Sequence, residues 1–403
     1  MQRGMDLFMS HDGPFTIAYA DHAAEVGGAE ISLRLLLERL DRTSFRPLIL
    51  HAPGAEWLNG APGEHELTAC EVFTDERLLS LRRGDVSGSL LGNVGKLARA
   101  ASLVLRIRGA LRSNDVDLVH TNTLKCHLLA GAAAWSYGSP LIWHLRDLVP
   151  EEEPRAILWR AARLMRPTVI AISEAVAHQA RGLGVRVEVV YNGIPLAHFC
   201  PGPEPEGLRR ELGLKLSHRI IMIVARLTPW KGHCELIRAL PAVLRRFPEA
   251  RLVIVGTTGF WDESYVQELQ SMAQTEGVAE AVLWTGHRED VPALLRLCEV
   301  FVLPSRDEPF GRALVEAMAT EKPVVAGRGG ASPEVCPDGT CGYLVDPADP
   351  AEIANAIIDL LSNPGRAREM GRAGRKRAVC FFDADSNAER VQALYRELLA
   401  HRR

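Results

Sequence analysis

No stretch of this sequence is built to cross a membrane. The opening residues, MQRGMDLFMSHDGPF, hold no apolar core of signal-peptide length. No apolar run approaches the roughly 20 residues that a bilayer span needs. The expectation is a cytoplasmic protein that meets the inner membrane face at most through its surface. The eight cysteines, Cys70, Cys126, Cys200, Cys234, Cys298, Cys336, Cys341 and Cys380, are scattered and include no C-x-x-C pair. The nearest two, Cys336 and Cys341, have no His or second Cys pair at zinc-finger spacing. Most of the thiols are therefore expected to be buried apolar fillers in a reducing compartment. The net charge of -3 argues against a general nucleic-acid binder. G-x-G-x-x-G is missing after either first strand, which disfavours a nicotinamide dehydrogenase. No Asp-x-Asp falls in a strand-end loop to hold a divalent cation, so no metal is expected.

What is present is ordinary material for two cores: 403 residues, 47% of them hydrophobic. Short β-branched runs alternate with helical-period segments, the signature of a parallel sheet with helices on both faces. The first series of strands is predicted at Phe15–Ala20, Pro47–Ala52, Asp117–Asn122, Pro140–His144, Thr168–Ser173 and Val187–Tyr191. The second is predicted at Arg219–Ala225, Arg251–Gly256, Ala281–Thr285, Val300–Pro304, Pro323–Ala326 and Gly342–Val345. The Pro/Gly-rich stretch Cys200–Gly207 separates them. The domains are accordingly placed at 1–200 and 201–382, with a terminal segment at 383–403. In that last segment Val391, Leu394, Tyr395, Leu398 and Leu399 recur at helical spacing.

Four places carry chemistry. Gly27 and Gly28 follow the first strand and open a helix whose apolar face is expected to include Ile31, Leu35 and Leu36. Backbone N–H groups there can approach an anion, although a Gly pair before a helix is equally a plain turn. Arg226 ends a buried strand and Lys231 lies near the start of the next helix. Ligands of open α/β sheets bind beyond the carboxyl ends of strands, where two cations can neutralise a diphosphate. In LPSRDEPFGRALVEAMA, Glu308 falls in a loop, Gly311 at a helix start, and Glu316 one turn further in. That pattern suits a phosphate held by backbone donors and a ribose diol held by a carboxylate. His144 ends a first-domain strand, followed by Arg146 and Asp147. Ser173-Glu174 and Tyr191-Asn192-Gly193-Ile194 also lie at strand ends, although Asn-Gly is a turn signal in its own right.

Taken together these residues make the chain resemble a family-4 retaining glycosyltransferase of the GT-B fold. The resemblance runs through Gly27-Gly28-Ala29-Glu30, His144, Ser173-Glu174, Asn192-Gly193-Ile194, Arg226 with Lys231, and the Glu308/Glu316 pair followed by KPVVAGRGGASPEV. It implies an α/β architecture of two Rossmann-like domains facing a central cleft, with the terminal helix packing back on the first. It implies a nucleotide-diphosphate sugar as donor, a hydroxyl-bearing acceptor, and no metal or other cofactor. Arg226 and Lys231 would bind the diphosphate and Glu316 the ribose. Phe310, Gly311, Ala313 and Leu314 would line the donor site, with Gly27 and Gly28 from the first domain. Glu308 and His144 would face the sugar. Asn122, Lys125, Arg146, Asp147, Ser173 and Asn192 would lie on the acceptor side. Two positions depart from the family pattern. Glu321 stands where the family usually has Gly, and Ala-Ser-Pro-Glu334 follows Gly329-Gly330 in place of a shorter run.

Other readings stay open from the sequence. A nucleotide-sugar epimerase would share the double-Rossmann shape, and a non-catalytic nucleotide-sugar-binding protein would keep the donor site alone. The segment 76–112 holds eight Lys/Arg against two Asp/Glu, with leucines interleaved. It suits a peripheral contact with anionic lipid, an anionic acceptor, or simply a solvated helix face.

Overall fold

In the computed structural model, residues 13–58, 67–79, 90–149, 152–259 and 262–400 are described. Part of the basic 76–112 segment, residues 80–89, lies outside them. The chain divides into two compact units. One comprises the chain up to Ile172, Val176–Val190 and Asp385 onward; the other comprises Ser173–Ala175 and Tyr191–Ala384. The passage at Val190 precedes the Pro/Gly-rich stretch.

The first unit holds seven parallel strands: β1 (Phe15–Ala20), β2 (Phe45–His51), β3 (Thr68–Glu71), β4 (Leu118–Thr121), β5 (Leu141–Leu145), β6 (Thr168–Ala171) and β7 (Val187–Val189). Their order is β3-β2-β1-β4-β5-β6-β7. The second holds β8 (Arg219–Val224), β9 (Ala250–Val255), β10 (Val282–Gly286), β11 (Val300–Leu303), β12 (Val324–Gly327) and β13 (Gly342–Val345), in the order β10-β9-β8-β11-β12-β13. Both are doubly wound sheets whose order reverses once, between β1 and β4 and between β8 and β11. Runs such as Ile220–Ile223 and Leu252–Val255 are 0–1% exposed, as strands covered on both faces must be. The strand missing from the sequence reading is β3. Its TACE sequence is largely exposed and pairs only with β2, so no apolar run marks it.

The helix Gly28–Glu38 and the residues just after it bury Leu33, Leu36, Leu37 and Leu40 at i, i+3, i+4, i+7 spacing. Of the residues expected inward, Leu36 is buried and Leu35 half-buried, while Ile31 is exposed. The terminal helix Ala384–Ala400 joins the first unit's core. Its Ala388, Val391, Leu394, Tyr395 and Leu399 pack with Ile17, Tyr19, Leu118, Ile142 and Ile170. Of the eight cysteines, four are buried, three half-buried and Cys380 exposed, and all are free thiols. In the helix Leu90–Ser113, Leu103, Ile107 and Leu111 point inward, while Leu97 and Leu105 are exposed. Among the described residues no helix is long and apolar enough to cross a membrane.

Glu321 follows the helix Arg312–Ala319 and has φ +60°. A Cβ in this left-handed region costs about 1–2 kcal/mol, offset in part by the extra chain entropy that glycine loses on folding. Glu321→Gly should therefore stabilise the fold by about 0.5–1 kcal/mol. Chemical denaturation of both proteins checks this; a lower midpoint in the variant would contradict it.

Candidate active site

In an open α/β sheet the crevice for ligands forms where the strand order reverses, outside the carboxyl ends. In the second unit those ends belong to β8 and β11. After β8 the chain runs through Arg226, which is exposed, and then turns through Pro229–Lys231. Gly232 closes the turn at φ +80°, where a Cβ would stand 2.3 Å from the Pro304 carbonyl oxygen. That contact lets the turn lie against the end of β11, and Arg306 N–H donates to Trp230 O at 3.0 Å. The two loops meet in one ion pair: Lys231 Nζ donates to Glu308 Oε2 at 2.7 Å, with both side chains largely buried. An ammonium has three donors, so two remain for another acceptor.

Glu308 is held from behind. Its carbonyl accepts from Ala331 N–H at 2.7 Å, and its backbone bridges Gly330, where a Cβ would stand 2.3 Å from the Glu308 oxygen. The GRGGAS run is thus the seat of the Glu308 loop. Gly311 caps the helix Arg312–Ala319, and a Cβ placed on it would lie 3.2 Å from Glu308 Cγ. The first bond of this helix runs from Val315 N–H to Gly311 O at 3.1 Å. The N–H groups of Ala313 and Leu314 therefore have no partner within the helix, which makes its end attractive to an anion. Lys231, Glu308 and this helix end form one cluster.

Glu316 is buried, and Arg312 Nε pairs with its Oε1 at 2.9 Å. Burial pushes the Glu316 carboxyl up and opposes the charge on Arg312; each partially restores the other. The i, i+4 spacing was visible in the sequence, but the pair was not anticipated. Phe310 serves the core with its ring, 5.5 Å from Phe382 and 6.3 Å from Tyr191, so only its backbone is left for a ligand.

Ser173 and Asn192 were assigned to the first domain. The structure groups both with the second unit, where Ser173 Oγ donates to Pro309 O at 2.7 Å. The reason is Glu334, whose carboxylate accepts from Glu174 and Ala175 N–H at 2.8 and 3.0 Å. Glu334 in the divergent Ala-Ser-Pro-Glu run thus has a structural task.

In the first unit the reversal lies between β1 and β4. The Gly27 N–H, expected to be open to an anion, is occupied by the chain's own carboxylate: Glu30 Oε2 accepts it at 2.8 Å. A Cβ at Gly27 would meet that oxygen at 2.8 Å, while Gly28 has open space around it. This is a Gly-x-x-Glu version of the capping box. Asn122 and Arg146, expected beside an acceptor, are buried and committed inward. Asn122 Nδ2 donates to Asp21 Oδ2 at 2.6 Å, and Asn122 Oδ1 accepts from Arg146 Nε. Arg146 also reaches His144 Nδ1 at 3.3 Å, and His120 Nε2 lies 3.1 Å from the same atom. His144 Nε2 is buried with no hydrogen-bond partner. Lys125 is half-buried, bonds to Leu79 O, and is pushed down by burial. Asp147 is exposed. His120, Asp21 and Tyr395 were missed as site residues. His120 carries no sequence mark beyond its place near a strand end, and Tyr395 is 275 residues away from it.

Among the described residues no group of three or more His, Cys, Asp or Glu could hold a metal. A cavity of about 420 Å³ in the first unit is lined by Arg77, Arg99 and Arg106 with Thr74 and Asp75.

Two sequence families cover most of the chain. Residues 26–198 match Glycosyltransferase Family 4 and residues 206–377 match Glycosyl transferases group 1. A D-inositol 3-phosphate glycosyltransferase of Corynebacterium efficiens is 34% identical over 387 residues, 92% of this chain and 86% of that one. A GDP-mannose-dependent alpha-(1-6)-phosphatidylinositol monomannoside mannosyltransferase of Mycolicibacterium smegmatis is 36% identical over 233 residues, 56% of this chain and 59% of the relative's length. The crystal structure of Anabaena HepE in complex with UDP and glucose superposes with a TM-score of 0.80 at 26% identity, covering 94% of this chain and 98% of that one.

The buried ionisable groups of the first unit set its response to acid. Burial holds His22 down to about 4 and His127 to about 3, and keeps His120 and His144 well below the ordinary imidazole range. Below about pH 6.5 the unfolded chain takes up protons that these four cannot, so each withdraws about 2 kcal/mol of stability by pH 5. Asp21 and Glu30 are pushed up by burial and work the other way, since the folded state keeps their protons longer. Four against two leaves a net loss. Calorimetry should show Tm falling between pH 7 and pH 5; a rising Tm would contradict the balance.

Proposed function

The chain belongs to the family-4, group 1 glycosyltransferases, and we propose that it moves a sugar from a nucleoside-diphosphate donor to a hydroxyl acceptor, with retention of configuration and without a metal ion. The observation that carries this reading is the Lys231–Glu308 pair beside the Gly311 helix end, at the reversal point of the second sheet.

Breaking a sugar–phosphate bond puts positive charge on the anomeric carbon and negative charge on the departing diphosphate. Donors fixed beforehand stabilise that charge without reorganising during the step. Lys231 keeps two N–H donors for a phosphate, the helix end offers backbone N–H groups, and Arg226 adds a second cation. These fixed positive groups do what a divalent cation does elsewhere. Glu316, paired through one oxygen with Arg312, is assigned to the ribose. Glu308 is assigned to the sugar. Its carboxylate is neutralised by Lys231, which makes it a poor nucleophile for a double displacement. The incoming hydroxyl is therefore assigned to the leaving-group side, with its proton passing to the diphosphate. His144 is assigned to a sugar hydroxyl.

A screen of nucleotide sugars by thermal shift, followed by mass spectrometry of products with phosphorylated and unphosphorylated polyols, tests the reaction class. With the working donor, Lys231→Ala should lower turnover by about a hundred-fold, near 3 kcal/mol; steady-state kinetics reads it, and an unaffected rate would remove Lys231 from the chemistry. Proton NMR of the first-formed product in excess EDTA should show the donor's own anomeric configuration. An inverted anomer rejects the stereochemistry, and activity that returns only with magnesium rejects the metal-free mechanism.

A further inference from the structure

His144 is the end of a hydrogen-bonded chain that starts on the terminal helix. Tyr395 OH lies 2.6 Å from His120 Nδ1, and His120 Nε2 lies 3.1 Å from His144 Nδ1. All three side chains are buried. Their meeting follows from register. His120 on β4 is opposite Ile142 on β5, and His144 stands two residues further along β5, on the same face. The terminal helix packs on that face through Val391, Tyr395 and Leu399.

The direction of each bond follows from donor and acceptor counting. A guanidinium only donates. Arg146 is held by the Asn122 carbonyl and reaches His144 Nδ1 at 3.3 Å, so that nitrogen presents its lone pair. The buried ring is uncharged, so its one proton is on Nε2. His120 Nε2 must then be the donor to His144 Nδ1. His120 is uncharged as well, so its Nδ1 accepts, and the Tyr395 hydroxyl supplies the proton. Each link has a single consistent polarity, from Tyr395 through His120 to His144. The chain ends at His144 Nε2–H, a buried donor without a partner.

We propose that Tyr395 is a positioning residue which, through His120 and together with Arg146 on the same ring nitrogen, holds His144 as the Nε2–H tautomer, so that His144 meets its ligand as a hydrogen-bond donor and not as a base. The ligand atom is a hydroxyl or ether oxygen of the sugar. This rests on the glycosyl-transfer reading for the identity of that ligand, but the tautomer is a property of the protein alone. Burying a donor with no partner costs about 1–3 kcal/mol, and an oxygen placed there recovers it.

The test uses the full chain with histidines labelled with nitrogen-15. The His144 signals are identified by their loss in His144→Gln. Imidazole nitrogen shifts distinguish a protonated from an unprotonated ring nitrogen without any substrate. Failure of the relay and failure of the transfer reaction are therefore read separately. The wild type is expected to show His144 protonated at Nε2 and bare at Nδ1. A proton on Nδ1 overturns the proposal, whether or not any variant folds. In Tyr395→Phe the ring packing is kept and the hydroxyl lost, so His120 should show mixed tautomers, and His144, left with Arg146 alone, a weaker preference for Nε2–H. Turnover should fall about tenfold with donor KM within about twofold. Unchanged tautomers or unchanged turnover in a folded Tyr395→Phe protein overturns the role of Tyr395.

Discussion

The bond from Lys231 Nζ to Glu308 Oε2 ties together the ends of β8 and β11, the two strands between which the second sheet reverses its order. A largely buried ion pair is weak evidence for stability, because desolvation of both charges offsets most of their attraction. Its value here is positional. It brings a cation and a carboxylate to the mouth of the sheet, against the end of the Arg312 helix. The loops are shaped to permit it. Gly232 lets the Lys231 turn touch Pro304, and Gly330 lets a neighbouring loop clasp the Glu308 backbone. Nearby, Thr228 Oγ1 and Ser305 Oγ are buried without partners. A region that leaves polar atoms unsatisfied is arranged for something other than maximal stability.

The sequence reading found twelve of the thirteen strands because most are apolar runs, the central ones covered on both faces. It missed β3, an exposed edge with no such run. It found Lys231, Glu308 and Gly311 because they sit at strand ends and a helix start, which are local features. It could not find that Lys231 and Glu308 are partners, since their pairing depends on which strands become neighbours. The same limit hid His120 and Tyr395. The capping of Gly27 by Glu30 and the Arg312–Glu316 pair are different. Both span only three or four residues and follow from helix geometry. Both are therefore legible in the sequence.

The two sheets differ in how these helix starts are occupied. Each has a helix following its first strand or its fourth, with an N-terminus at the reversal point. In the second unit the Gly311 end has N–H groups without partners inside the helix, and Lys231 is close to Glu308 beside it. In the first unit the Gly27 N–H is already taken by Glu30, and Asp21 lies nearby as a second buried carboxyl. Two carboxyl groups at one helix start make it a poor site for a diphosphate. The two Rossmann-like units thus differ in the groups at their reversal points, buried carboxyls in the first and a lysine–carboxylate pair in the second.

The first unit invests its burial in another device. On one face of its sheet, Ile17 and Leu118 form an apolar pair, and Tyr19 and His120 are the next pair along the same strands. Ile142 on β5 stands level with His120, and His144 one step beyond it. Strand periodicity alone places these polar rings one step nearer the carboxyl ends, where chemistry resides in such sheets. The terminal helix covers this face, with Val391 and Leu399 among the apolar core and the Tyr395 hydroxyl on His120. Apolar packing thus fixes where the hydroxyl sits, and the hydroxyl orders the protons on the rings beyond it. The arrangement works only while the histidines are uncharged. The burial that fixes the geometry also makes this unit sensitive to acid, because a protonated ring has no place in it. Loss of stability at low pH and a fixed donor at His144 are two consequences of the same packed layer.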